Sequence, residues 1–214
     1  MDPRTRISIA NDMHDANIAI ENGEHLKVIP VLERIVKSEP QIHVAHYYLG
    51  MAYARDRNYT RAIPELRKAI ELQPDAIMAH YEIGVALFEV GDWETAATHF
   101  EIVVDKNPKW ADARFSLASV QARTDRIPDA LANLVLVVEQ KPDHYRANLL
   151  LGRILTLKGQ ADVALPYLQK AAALHADSRE AHAFLADALE RLGRAADAQR
   201  ERARAAALKR PPAP

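Results

Sequence analysis

No cysteine occurs among the 214 residues, so disulfides, thiolate nucleophiles and Cys-ligated zinc are excluded, while oxidising and reducing compartments stay equally open. Aromatic residues make up only 6% and glycine occurs seven times, which speaks against a turn-rich β architecture and puts an all-helical one first. An excess of one charge is also missing. With 28 Lys and Arg against 29 Asp and Glu, the chain has no overall electrostatic reason to bind a phosphate backbone, and no nucleic acid partner is expected. No apolar run is long enough to span a bilayer, so no membrane insertion is expected. The opening Met-Asp-Pro-Arg-Thr-Arg leads to Asn11, Asp12, His14 and Asp15, which cannot form the apolar centre of a secretory signal. Met1 as the native start implies the cytoplasm; an upstream signal already removed would imply the periplasm. What is present, 49% hydrophobic and 27% charged residues, suits a folded chain with a core.

Punctuation recurs at a fixed interval: Pro40, Pro74, Pro108 and Pro142 are each 34 residues apart. Frames of that length beginning at Ile9, His43, Ile77, Ala111, Tyr145 and Arg179 cover nearly the whole chain without an insertion. Position 7 of the frames reads Asp15, Leu49, Ile83, Leu117, Leu151, Leu185, and position 8 reads Ala16, Gly50, Gly84, Ala118, Gly152, Ala186. Position 20 reads Val28, Ala62, Ala96, Ala130, Ala164, Ala198, and position 24 reads Leu32, Leu66, Phe100, Leu134, Leu168, Arg202. Small residues at positions 8 and 20 let two helices approach closely. Within each half the apolar spacing is helical, as in Leu49 and Tyr53 and then Ile63, Leu66 and Ile70, so each frame is two helices, A and B.

Gly23, Gly91, Gly159 and Gly193 mark the break between helices, where a left-handed residue ends the first of them. The closing Pro stops the second. Pro30, Pro64 and Pro166 are expected in the first turn of helix B, where a missing N–H costs least. These residues resemble the tetratricopeptide repeat in a bacterial member of that family, with period 34, a large apolar residue followed by Gly or Ala in helix A, Ala and a Leu or aromatic in helix B, and a late Pro. The resemblance implies an all-α fold, an α-solenoid forming a right-handed superhelix of about six 34-residue helix-turn-helix repeats. The expected division is an N-terminal segment 1–8, a degenerate repeat 9–42, repeats 43–76, 77–110, 111–144 and 145–178, a last repeat with its cap at 179–210, and a Pro-rich tail 211–214. Two departures stand out. Position 4, often a large aromatic in the family, holds Asp12, His46, His80, Arg114, Asn148 and His182, and Gln121 occupies an expected apolar site. Arg200, Arg202 and Arg204 read as a polar C-terminal cap.

Chemistry finds little to stand on. All seven glycines are already used at the packing position or the helix break, and neither GxxxxGK[ST] nor GxGxxG occurs. His43 and His46, with Glu39 before them, lack the four converging ligands of a structural metal site and the HExxH spacing. No catalytic residue, metal or cofactor is expected. The chain reads as a non-catalytic interaction scaffold whose partner is a protein or peptide.

The resemblance implies that helices A line the concave groove through positions 2, 5, 9, 12 and 13. Those positions run from Asn17, Ile20 and Glu21 of the first frame to a partner-binding set of Met13, Tyr47, Met51, Arg55, Met78, Tyr81, Val85, Phe88, Phe115, Arg123, Arg146, Leu149 and Arg153. An exposed strip of Tyr, Phe and Met marks a binding surface, whereas burial of Tyr47, Met51, Tyr81 and Phe88 between helices would make the strip structural. The family's clamp for acidic chain termini needs Lys and Asn where this chain has Tyr47, Met51, Glu82, Asp112 and Ser116, so an apolar helix or extended segment is the expected ligand. Residues 1 to 144 hold 16 Lys and Arg against 22 Asp and Glu, and residues 145 to 214 hold 12 against 7, a polarity that suits weak self-association. Two other readings compete with the scaffold: a self-assembling structural module, and a regulatory segment of a larger enzyme or of a secretion or envelope assembly.

Overall fold

The computed structural model describes residues 3–208, with side chains from Ser8 onward, and every regular element among them is an α-helix. The helices are α1 (Pro3–Glu21), α2 (His25–Ser38), α3 (His43–Arg55), α4 (Tyr59–Leu72), α5 (Ile77–Val90), α6 (Trp93–Lys106), α7 (Ala111–Arg123), α8 (Ile127–Gln140), α9 (Tyr145–Leu157), α10 (Ala161–Leu174), α11 (Arg179–Arg191) and α12 (Ala195–Ala207). They follow the 34-residue frames two by two, an all-α solenoid architecture. The chain forms two compact units, Met1–Val120 and Gln121–Pro214, with the boundary inside α7.

Close approach of A and B is visible in both units. A Cβ placed on Gly50 would lie 2.6 Å from Leu66 Cγ, one on Gly84 would lie 2.8 Å from Phe100, and one on Gly152 would lie 2.5 Å from Leu168 Cγ. Ala62, Ala96 and Ala164 at position 20 are wholly buried beside these contacts. In the last frame position 24 is Arg202, which is exposed and pairs with Glu190 and Asp187 of α11 instead of entering the core between the two helices. Gln121 is buried and satisfied, its Oε1 accepting from Asn133 Nδ2 at 2.9 Å.

The unusual position 4 has one task in five frames. His46 Nε2, His80 Nε2, a guanidinium nitrogen of Arg114, Asn148 Nδ2 and His182 Nε2 each donate to the carbonyl six residues earlier, on Pro40, Pro74, Pro108, Pro142 and Ala176 at 2.9–3.1 Å. A carbonyl just past a helix end has no intrahelical donor, and these side chains supply it. The other ring nitrogen of His46 meets Glu65 at 2.6 Å, that of His182 meets Glu201 at 2.6 Å, and that of His80 meets His99 Nδ1 at 2.9 Å. Both nitrogens of His46 are therefore committed to the fold.

Three local features differ from the sequence reading. Residues 3–8 belong to α1 rather than preceding it: Pro3 stands at the first helical position, where its missing N–H costs nothing, and no Gly interrupts the helix before Glu21. Pro30, Pro64 and Pro166 are each the sixth residue of their helix, one turn deeper than expected. They are tolerated because they and the residues four before them, Leu26, Thr60 and Asp162, are exposed, so water can serve the freed carbonyls. The left-handed break is also more general than its glycines: Gly23, Gly91, Gly159 and Gly193 take φ of 72 to 87°, and Arg57 and Asp125 take 59° at the same position of frames without Gly. The tail at 211–214 lies outside the described residues.

Arg57→Gly should therefore stabilise the protein by about 1 kcal/mol, and Asp125→Gly by less, since Asp tolerates this region better. Urea denaturation reads both, and a lowered midpoint for Arg57→Gly would contradict the strain. A second expectation concerns His99, whose pKa is held down to about 4 by burial first, then by His80 and Arg67, against Asp92. The folded state thus binds fewer protons than the unfolded one between pH 6.5 and 4, so stability present above 6.5 is lost as pH falls through that window. His99→Gln keeps a donor to His80 Nδ1 and should flatten the fall in thermal midpoint between pH 6.5 and 5.

Candidate functional site

In the first unit α3 adjoins both α1 and α5, and the three helices line a cleft of about 430 Å³. Its walls are Asn17, Ile20 and Glu21 from α1, Tyr47, Met51 and Arg55 from α3, and Met78 and Glu82 from α5. The helical period places positions 5, 9 and 13 of α3 one above another along the cleft. The Tyr47 hydroxyl donates to Met51 Sδ at 3.5 Å, and Asn17 Nδ2 donates to Glu21 Oε1 at 3.1 Å.

Four residues of the expected set meet here: Tyr47, Met51, Arg55 and Met78. Only Met78, at 49%, is exposed among the apolar ones; Met51 is buried at 6% and Tyr47 half-buried. The continuous exposed strip is not formed. Tyr81 stacks on Trp110 at 4.6 Å between centroids, Val85 and Phe88 pack on the core, Met13 packs on Ile9, Ile35 and Ala45, and Phe115 is buried. Neighbouring A helices lean on one another through these positions, so half of what helical phase turns toward the groove is spent on packing.

Glu82, which the sequence marks only as a departure from the family's clamp and not as a groove residue, is the most unusual group of the site. Its side chain is 4% exposed, and Arg55, 45% exposed, donates to both carboxylate oxygens at 3.1 and 3.3 Å. Burial pushes the Glu82 pKa up and Arg55 pulls it back only in part. Burial, and next the negative charge of Glu82, raise the Tyr47 phenol well above its ordinary value, so the carboxylate's field reaches the middle of the cleft. Glu82 stands at position 6 of its frame, outside the positions 2, 5, 9, 12 and 13 but at one of the clamp positions, and its partner lies 27 residues earlier in the preceding frame. Its signal was a lone carboxylate among Ala79, Ile83 and Ala86.

In the second unit a smaller cleft of about 210 Å³ is lined by Arg153, Thr156 and Leu157 of α9 and Phe184, Asp187 and Arg191 of α11. The Arg153 guanidinium lies 5.2 Å from the centroid of the Phe184 ring, and Leu157 is 65% exposed. Leu149 is buried beneath this face, while Arg146 and Arg123 are exposed outside the cleft. Among the described residues no three His, Asp or Glu side chains converge as metal ligands would, and no helix is long and apolar enough to cross a membrane.

No curated protein matches the chain in sequence. Among solved structures it is similar to the protein MamA from Desulfovibrio magneticus RS-1, at 20% identity over 79% of this chain and 96% of that one, with a TM-score of 0.71. Another MamA structure matches at 23% identity over 75% of this chain and 94% of that one, TM-score 0.69. YrrB, described as a tetratricopeptide-repeat protein with an unusual peptide-binding site, matches at 17% identity over 83% and 92%, TM-score 0.70. At these identities the likeness is one of fold. Family models of the tetratricopeptide repeat match residues 43–76, 81–136 and 126–172. These matches together span more than half of the chain, which belongs to the tetratricopeptide repeat family, whose members are protein-interaction scaffolds and in general not catalysts.

Proposed function

We propose that the chain is a non-catalytic scaffold that holds a peptide or helix of a partner protein in the cleft of its first unit. The observation that carries this reading is Glu82. Position 6 holds His14, Tyr48, Ser116, Leu150 and Phe184 in the other five frames, so the fold does not need a carboxylate there. A carboxylate withdrawn from water under an arginine and set in the wall of a cleft is a cost to the fold that a ligand can justify. Met78, Tyr47, Met51 and Ile20 supply apolar surface around it, with Met able to fit side chains of different shape. The fold is preformed, so a short segment loses little affinity to reordering of the scaffold. YrrB, of the same fold, carries a peptide-binding site, which supports placing one on this architecture.

A second reading, self-association, is supported by the charge of the two units. The first holds 13 Lys and Arg against 18 Asp and Glu, the second 15 against 11, and units of unlike charge on two copies attract. Sedimentation at rising protein concentration in low and high salt separates it from the scaffold reading, since a monomer throughout excludes it.

Met78→Glu introduces a charge at an exposed position and should lower the affinity for peptides selected from a displayed library by about tenfold, with helical circular dichroism unchanged. Undiminished binding would sink the cleft. Because burial raises the pKa of Glu82, the folded state binds more protons than the unfolded one above about pH 4.5, and its ionisation at neutral pH works against folding. Glu82→Gln, which leaves half-exposed Arg55 free to hydrate, should therefore stabilise the protein by about 1 kcal/mol at pH 7 while weakening peptide capture. Urea denaturation beside the binding assay reads both; a destabilised variant would show that the pair serves the fold.

A further inference from the structure

The charges of the cleft are unevenly satisfied. Arg55 donates to both carboxylate oxygens of Glu82, one nitrogen to each, so its charge is already balanced before any ligand arrives. The carboxylate of Glu21 on the exposed rim has Asn17 as its neutral partner. A carboxylate entering the cleft would find a cation already paired and two anions beside it. A cation would find Glu21, the half-buried Tyr47 ring and the field of Glu82. The surrounding unit reinforces this choice, with 13 Lys and Arg against 18 Asp and Glu. Beside these groups Ile20, Met51 and Met78 offer apolar surface, of which Met78 projects most into solvent.

From this charge complementarity we infer that the cleft of the first unit selects a protein segment carrying a Lys or Arg next to an apolar side chain, the cation held by Glu21 and Tyr47 and the apolar group by Met51 and Met78. The inference rests on the peptide-scaffold reading and adds the sign of the ligand. Glu82 acts here as a positioning residue: it holds Arg55 in the wall of the cleft by two hydrogen bonds, and its field disfavours acidic sequences. The cleft thereby differs from clamps built of Lys and Asn, which take acidic termini.

The test uses the full chain and three synthetic octapeptide libraries of Leu, Ile, Val, Met and Ala with one fixed central residue, either Lys or Arg, Gln, or Asp or Glu. Fluorescence anisotropy should show the basic library bound about tenfold more tightly than the neutral one and the acidic library weakest, with the preference shrinking as salt rises. Glu21→Lys, an exposed substitution checked by circular dichroism, should abolish the preference while apolar binding, still sensitive to Met78→Glu, remains. Acidic or neutral peptides bound as well as basic ones, or a basic preference that survives Glu21→Lys combined with Glu82→Gln, would overturn the inference and leave the cleft reading standing. No binding of any library, or binding indifferent to Met78→Glu, would overturn both, and so would a self-associated species that Glu21→Lys dissolves while no library binds.

Discussion

Where position 8 is glycine, the large side chain at position 24 lies where a Cβ would have to be. In three frames that Cβ would come within 2.5–2.8 Å of Leu66, Phe100 or Leu168, well inside van der Waals contact, so glycine there is a condition of the packing. Where Ala takes the place, as Ala16 and Ala186, it is still buried to within a few per cent. This one close approach brings helix B against helix A, buries the Ala of position 20, and leaves the opposite face of helix A turned away from its own partner. The cleft of the first unit is built on that leftover face. A bulky residue at Gly50 would push α4 away from α3 and move Tyr47, Met51 and Arg55 together, because they share one rigid helix.

Joining one helix pair to the next raises a different problem, a polar one. The carbonyl two residues past helix B has lost its helical donor and sits at the turn into the next pair, where an unsatisfied acceptor is costly. The side chain at position 4 of the following helix A reaches back to it. Histidine, arginine and asparagine do this interchangeably because each has an N–H at the right reach. Ala176 shows that the carbonyl, not the proline ring, is the feature in demand: His182 bonds it at 3.1 Å as His46 and His80 bond Pro40 and Pro74.

Much of this was legible in the sequence because it depends on residue size at fixed positions. Gly50 opposite Leu66 and Gly152 opposite Leu168 repeat sixteen residues apart, and size alone reports them. Proline was misplaced by a turn because a sequence says which residue cannot donate but not which carbonyl water can reach. The left-handed residues Arg57 and Asp125 carry no compositional mark, since the repeat imposes the conformation on whatever stands there. The cleft was legible only in part for a similar reason. Helical phase turns Tyr47, Tyr81 and Phe88 to the same side, yet whether a neighbour covers them depends on a residue such as Trp110, 29 positions beyond Tyr81 and in the frame's connecting turn. Glu82 escaped because its meaning comes from burial and from Arg55 in another frame.

Solenoids tolerate such a departure because each helix pair leans only on its neighbours, so the cost of one buried charge stays local. The two clefts make the point by comparison. In the first unit a residue at position 6 of one frame, Glu82, meets Arg55 of the frame before; in the second, Phe184 at position 6 meets Arg153 of the frame before. Both meetings set a guanidinium from one helix A against a side chain of the next. One partner is a carboxylate that uses up the cation and leaves the surroundings acidic; the other is a ring face that leaves the cation's charge in place. The packing of helix against helix is the same in kind, and what differs is one side chain that the fold does not constrain. Ligand chemistry in this protein is thus written at the positions where the repeat is indifferent, which is why position 6 says more about partners than the conserved-size positions 8 and 24.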